Sequence, residues 1–230
     1  LSHLFRREKH ILKRDAYQWD AKYPCVVAID PHPQKPTCAI LVGADEHGPV
    51  VLKELKLKAH PRDFARYLKK WYKGHRIIDI VVDNFGSGEM TGGEGFKPFI
   101  QVLNEEGVRA RATTYDDKND EDWIMRIQEV LAFAEGETPK LRIMDNCVGL
   151  VNDIETVEWE RYRNNDEFKA TLGISSKDLL ACLKYALATN ISSKKKKDQA
   201  FYPSHKAYGV DLAQRAKQKL RLRLKRNGKL

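Results

Sequence analysis

Three aspartates stand at positions from which they could bind metal ions together. Asp30 and Asp83 each end a run of apolar, mostly β-branched residues, and Asp178 begins an apolar segment much later in the chain. Side chains at the carboxyl ends of central strands in an α/β sheet project into a shared crevice. Carboxylates crowded there repel one another unless a divalent cation neutralises them, and oxygen ligands suit Mg²⁺ or Mn²⁺. The pattern therefore predicts a site for these ions.

Two such ions would support phosphodiester hydrolysis. A pair of ions about 3.5 to 4 Å apart can activate a water and stabilise the leaving oxygen. In this hypothesis Asp30 bridges both ions, Asp83 binds one of them, and Asp178 completes the site from the first turn of a helix.

Each aspartate also has a purely structural explanation. Asp30 precedes a proline and Asp83 precedes an asparagine and a glycine-rich segment, so both could start turns. Asp178 follows Ser175 by three positions, which is the spacing of a helix capping box.

Three further side chains are open candidates for the same site. His32 lies two residues after Asp30 and could reach a metal or a phosphate, although a loop histidine is more often simply exposed. Glu89 and Glu94 lie in the glycine-rich segment and could face either a metal or solvent.

The predicted elements alternate as in an α/β fold of the RNase H-like class. Three antiparallel strands come first, and helices and strands then alternate, which predicts a central mixed sheet flanked by helices. The predicted strands cover residues 25–30, 37–42, 50–57, 77–83, 108–113 and 141–144, the helices 61–73, 96–106, 120–134, 147–157 and 175–189, and a hairpin 158–171.

Charge divides the chain into a neutral body and a basic tail. Residues 193–230 hold 13 Lys and Arg against 2 acids, whereas residues 1–192 hold 28 basic and 30 acidic residues. We therefore predict a linker or arm over residues 1–22, one RNase H-like domain over residues 23–192, and a basic tail over residues 193–230 that either binds nucleic acid electrostatically or is only solvated.

Composition excludes several classes of protein. The sequence has no run of 18 apolar residues and no apolar signal sequence at its start, so a soluble, cytosolic protein is expected. Its four cysteines are far apart and lie in apolar contexts, which argues against a zinc site and disulfides.

Over residues 24–190 the sequence resembles the nuclease domain of the large terminase subunit of tailed bacteriophages. The resemblance rests on the strand ending at Asp30, the segments 81–88 and 150–160, and the segment 178–187. It implies an RNase H-like fold with two Mg²⁺ or Mn²⁺ ions, and cleavage of concatemeric double-stranded viral DNA during genome packaging in the host cytoplasm.

The sequence departs from this family at two points. Many members have a His followed three residues later by an Asp in the last helix, and here Asp178 takes the place of the His and Ala181 that of the Asp. The family's packaging ATPase carries a P-loop, and the sequence has no GxxxxGK[ST] motif. The resemblance thus implies an ATPase motor N-terminal to this part, with the portal protein and the small terminase subunit as further partners.

Two other functions remain open from the sequence. A junction resolvase or a transposase-type strand transferase would use the same carboxylates on branched or end-specific DNA. A non-catalytic module would bind DNA or the portal through the basic tail, and its aspartates would only cap turns.

Overall fold

A computed structural model describes residues 1–32, 34–83, 97–113, 120–157, 159–164, 167–172, 177–189 and 191 of the chain. These residues all belong to one compact unit, Leu1–Lys195. The domain boundary predicted between residues 192 and 193, together with the basic tail, lies outside the described residues.

After a short helix and strand at the beginning, the elements follow one another in the order predicted. In chain order they are α1 (Arg7–His10), β1 (Ile11–Leu12), β2 (Pro24–Asp30), β3 (Thr37–Asp45), β4 (Gly48–Leu57), α2 (Pro61–Trp71), β5 (Arg76–Val82), α3 (Phe99–Glu105), β6 (Arg111–Ala112), α4 (Asp120–Leu131), β7 (Arg142–Met144), α5 (Val148–Thr156), β8 (Trp159–Asn164), β9 (Glu167–Leu172) and α6 (Asp178–Leu187).

A seven-stranded mixed sheet forms the centre of the domain. Its strand order is β1-β7-β4-β3-β2-β5-β6. β3 runs antiparallel to its neighbours β2 and β4, whereas β5 pairs in parallel with β2, and β6 in parallel with β5. Every residue of β3 is buried and only the last residue of β2 is partly exposed, as expected for strands covered on both faces. The predicted α/β, RNase H-like fold class is confirmed.

The turn between β3 and β4 is tighter than the sequence predicted. The predicted strands 37–42 and 50–57 leave seven residues between them, whereas Asp45 and Gly48 are themselves a paired position of the hairpin, so that only two residues turn the chain. Gly48 has a φ of +126°, a backbone conformation that side chains disfavour, which explains the glycine at this position.

Part of the predicted linker or arm over residues 1–22 joins the main sheet. Its strand β1 pairs in parallel with β7 at the edge, and the side chains of Leu1, Phe5 and His10 are buried. Trp19 packs directly against Gly43 of β3, where a larger residue would collide with the indole ring. Apolar residues of this segment thus become buried by covering the edge strand of the sheet.

The last helix, α6, packs across the centre of the sheet. It contacts β2 and β3, and it also contacts α4 and α5. All nine residues from Leu179 to Leu187 are buried, including a lysine. Among the residues that the structure describes, no helix is long and apolar enough to cross a membrane.

Candidate active site

Asp30 and Asp83 lie side by side at the carboxyl ends of two parallel strands. Asp30 ends β2, and Asp83 directly follows β5, whose last residue pairs with Ile29. The backbone N–H of Asp83 donates a hydrogen bond of 2.9 Å to the carbonyl oxygen of Ile29, which extends the ladder beyond the strand. Asp83 is 9% exposed. The parallel pairing therefore brings both carboxylates to one edge of the sheet.

Asp178 approaches the same edge from the first position of α6. Its Oδ2 lies 3.9 Å from the Sγ of Cys38, and Cys38 is the residue that pairs with Asp30 in the neighbouring strand β3. The other carboxylate oxygen of Asp178, Oδ1, is buried and has no hydrogen-bond partner among the residues that the structure describes. A buried anionic oxygen without a partner is costly, so this position favours a cation or a donor from a ligand.

The three carboxylates interact electrostatically. Burial raises the pKa of Asp30 to about 7, and the negative charges of Asp83 and Asp178 contribute to this rise, whereas Lys184 and Lys35 act in the opposite direction. Like charges that disfavour one another's ionisation are typical of sites that a cation completes. The described arrangement is therefore short of positive charge.

Three residues on one face of α6 contact the ends of the central strands. Asp178, Cys182 and Tyr185 are spaced by four and three positions, so they share one face of the helix. Cys182 is hydrogen-bonded to the backbone of Asp30, and Tyr185 forms a side-chain hydrogen bond with Asp83. Burial, followed by the negative charge of Asp83, raises the pKa of Tyr185. This face of α6 fixes the position of the helix over the carboxylates.

A carboxylate outside this group of three, that of Asp153, binds the beginning of α6. Asp153 in α5 is 5% exposed, and its Oδ2 accepts a hydrogen bond of 3.2 Å from the backbone N–H of Leu179. In the same way, Glu54 of β4 accepts hydrogen bonds of 2.8 Å from the N–H groups of Gly149 and Leu150 at the start of α5. Free N–H groups at the start of both helices are thereby satisfied by acids, which helix N-termini favour.

The residue types of this site suit divalent cations, although the side chains do not yet surround a single metal position. Three carboxylates could supply hard oxygen ligands, and one of their oxygens is buried without a partner in the described part of the chain. Within the described ranges, however, no three His, Cys, Asp or Glu side chains already have the spacing of a metal site. The three carboxylates are close enough to affect the pKa of Asp30, but they are not arranged around a common metal position.

The position of Asp178 in α6 does not fit the capping box that was the alternative explanation for this residue. Helix α6 starts at Asp178 itself, and the residue before it, Lys177, makes no side-chain cap. A capping-box acid stands at the third helical position, so Asp178 does not have that role. His32 is half-buried two residues beyond Asp30, whereas Glu89 and Glu94 lie outside the described residues.

Sequence reasoning named the three aspartates but missed the residues that support them. Cys38, Asp153, Lys184 and Tyr185 all act on the carboxylates or on α6. Only Lys184 had a visible signal, because it is the single charged residue in the apolar segment 179–187. The others become recognisable only when α6 is placed on the sheet.

Comparison with solved structures identifies the same fold in phage terminases. The large terminase of one thermophilic bacteriophage superposes with a TM-score of 0.63 at 16% identity, over 82% of this chain and 44% of that terminase chain. The g2p large terminase nuclease domain of bacteriophage SPP1, solved with bound Mn, gives a TM-score of 0.54 at 14% identity, over 77% and 95% of the two chains. The large terminase nuclease of the thermophilic phage G20c, solved with bound magnesium, gives 0.52 at 12% identity, over 76% and 85%.

No protein-family model matches the sequence, and no curated protein sequence matches it significantly. The fold is that of an RNase H-like domain with acidic residues at the ends of its central strands. More particularly, it is the fold of the nuclease domains of phage large terminases, and the chain spans 44% of the length of the first terminase compared above.

Proposed function

We propose that this chain is a divalent-metal-dependent endonuclease that cleaves double-stranded DNA. The observation that carries the proposal is the placement of Asp30, Asp83 and Asp178 at one end of the central strands, on a fold shared with terminase nucleases. The SPP1 and G20c domains were solved with Mn and magnesium, which supports the same class of ion here.

The residues that would hold two Mg²⁺ or Mn²⁺ ions are Asp30, Asp83 and Asp178. When bound, the ions supply the positive charge that phosphodiester hydrolysis requires at the attacking and leaving oxygens. The protein's own part is to hold the carboxylates in place. Tyr185 orients Asp83 through a hydrogen bond, and Cys182 binds the backbone of Asp30.

The substrate we propose is concatemeric viral DNA during genome packaging in the host cytoplasm. The likeness to large terminases supports it, and the same likeness suggests an ATPase motor, the portal protein and the small terminase subunit as partners. Contacts with the phosphate backbone suit this role, because cutting of a packaged genome requires little base recognition.

Plasmid cleavage tests the proposal directly. The purified chain is incubated with supercoiled plasmid in Mn²⁺, in Mg²⁺ and in EDTA, with the double variant Asp30→Asn, Asp178→Asn prepared in parallel to exclude a contaminating nuclease. We expect cutting only by the wild-type chain and only with metal. Cutting in EDTA, or equal cutting by the double variant, would contradict it.

Two outcomes of this assay would support other functions. Preferential cutting of a synthetic four-way junction over linear and supercoiled DNA would indicate a junction resolvase. DNA binding without metal-dependent cutting would indicate a non-catalytic binding module.

A further inference from the structure

We propose that Glu54 is a positioning residue for Asp178, acting through the start of α5 and through Gly149, the point at which β4, α5 and α6 meet. Glu54 is not one of the candidate metal ligands. That Asp178 binds metal for DNA cleavage rests on the proposed function, whereas the contacts that join the three elements belong to the structure itself.

Glu54 joins the central sheet to the start of α5. It lies in β4, and both of its carboxylate oxygens are used there. Oε1 accepts a hydrogen bond of 2.8 Å from the backbone N–H of Gly149, and Oε2 accepts one of 2.8 Å from the N–H of Leu150. The first N–H groups of a helix have no partner within it, and its N-terminus favours negative charge. These two bonds therefore hold the first turn of α5 against the sheet.

Gly149 leaves no room for a side chain between Glu54 and α6. A Cβ atom at this position would lie 2.8 Å from Cδ1 of Leu179 and 3.0 Å from Oε1 of Glu54. Leu179 is completely buried, so its side chain has little space in which to turn aside. Glycine is otherwise disfavoured within a helix. The close approach of the three elements thus explains the glycine at this place in α5.

The contact at Gly149 leads directly to Asp178. Leu179 is the next residue of α6, and its backbone N–H donates a hydrogen bond of 3.2 Å to Oδ2 of Asp153 in α5. The first turn of α6 is therefore attached to α5 twice, by the side chain of Leu179 and by its backbone. A shift of α5 away from Glu54 would disturb both attachments, and with them the position of the Asp178 carboxylate.

Hydrogen exchange in EDTA tests this connection without metal. In Glu54→Ala we expect the amide of Leu179 to exchange about fivefold faster, the factor that one hydrogen bond is typically worth. A cap that served α5 alone would speed exchange only at Gly149 and Leu150. Glu54→Gln, which keeps one acceptor oxygen, should show the same change to a smaller extent. Glu129→Ala, on the exposed side of α4, is the control. Unchanged exchange at Leu179 in both Glu54 variants would overturn the inference.

A crowding variant tests the contact from the side of α5. Gly149→Ala should weaken Mn²⁺ binding on the order of tenfold in calorimetric titration, although alanine is the better helix former. In a Leu179→Val background the same substitution should cost less affinity, because the atom nearest to the new methyl group is gone. A contact that only stabilised the fold would lower the free energy of unfolding and leave the Mn²⁺ affinity of the folded chain unchanged.

The outcomes separate this inference from the nuclease proposal. Metal-dependent cleavage by the wild type, with Mn²⁺ affinity unchanged in Gly149→Ala or reduced equally with and without Leu179→Val, would contradict the positioning role and leave the nuclease proposal intact. A wild-type chain that neither binds Mn²⁺ nor cleaves DNA would overturn both.

Discussion

The backbone N–H of Asp83 donates a hydrogen bond of 2.9 Å to the carbonyl oxygen of Ile29, the residue before Asp30. This bond joins the main chains of β2 and β5 at the point where both strands end. The two carboxylates are therefore held close by the sheet itself, independently of their own charge. Neutralising either one should change its chemistry without moving the backbone.

Asp83→Asn should abolish plasmid cleavage with little loss of folding. An asparagine can still accept a hydrogen bond from Tyr185, and a turn-capping role would account for only about 1 kcal/mol. We expect cleavage in Mn²⁺ to slow by a factor on the order of a hundred or more, and an unfolding free energy within about 1 kcal/mol of the wild type. Asp63→Asn on the exposed surface of α2 is the control. Full activity of the Asp83 variant would remove it from the site.

Asp30→Asn should stabilise the metal-free protein, and the gain should depend on pH. The pKa of Asp30 is about 7 in the folded protein and 3.8 in its ordinary, unfolded environment. Between these two pH values the unfolded chain has already lost the proton that the folded chain keeps, so the free energy of unfolding of the wild type falls as the pH rises. Asparagine has no proton to lose. The difference in unfolding free energy should thus grow from near zero at about pH 4 to on the order of 2 to 4 kcal/mol at about pH 8 in EDTA.

Urea unfolding of Asp30→Asn and wild type across this pH range measures this difference. Saturating Mn²⁺ should reverse it, because the ion stabilises the wild-type chain more than the variant. A difference that stays constant from acidic to mildly alkaline pH would mean that Asp30 is not held in a repulsive cluster.

Tyr185→Phe should weaken the support of Asp83 while leaving the metal ligands in place. The variant loses the hydroxyl group that is hydrogen-bonded to this carboxylate, at a cost of about 1 to 2 kcal/mol in unfolding free energy. We expect cleavage to slow roughly tenfold or less, with Mn²⁺ affinity reduced less than in Asp30→Asn. Tyr67→Phe, on the exposed side of α2, should change neither quantity. A loss of cleavage as complete as that of Asp83→Asn would instead indicate direct contact with the substrate.

The fold could be predicted from the sequence because hydrophobic periodicity and strand-ending aspartates are local signals. The strands that end at Asp30 and Asp83 are continuous apolar runs. A helix lies between them in the chain, which favours their parallel pairing as neighbours in one sheet. The short strand β1 and helix α1 were not predicted, since two to four residues carry no periodicity. Their burial depends on the sheet edge that they cover.

The candidate site was predictable only in its acidic members. Lys184, Tyr185 and Cys38 act through contacts between α6 and the strands, which join positions about a hundred residues or more apart. No local pattern specifies which face of a mostly apolar, buried helix meets the sheet. The capping box that was the alternative explanation for Asp178 could not be judged from the sequence alone, because it depends on where α6 begins, and near this start the N–H of Leu179 is bonded to a distant carboxylate of α5.

Asp153 is that carboxylate, and its removal should loosen the start of α6. Asp153→Ala leaves the N–H of Leu179 without an acceptor, which should cost about 1 kcal/mol or more in a buried place. Because Asp178 immediately precedes Leu179, we also expect weaker Mn²⁺ binding. Asp153→Asn keeps an acceptor oxygen and should remain close to wild type in both measurements. Asn152→Ala, on the exposed side of α5, is the control for helix propensity.

Calorimetric titration with Mn²⁺ and urea unfolding distinguish the alternative roles of Asp153. If the charge of Asp153 mattered in itself, as an additional metal ligand would require, Asp153→Asn would lose Mn²⁺ affinity as strongly as Asp153→Ala. If only the hydrogen bond matters, the two variants separate, because asparagine retains the acceptor that holds Leu179 and with it the first turn of α6. Equal, wild-type-like behaviour of both variants would show that the start of α6 is fixed by its packing on β2 and β3 alone.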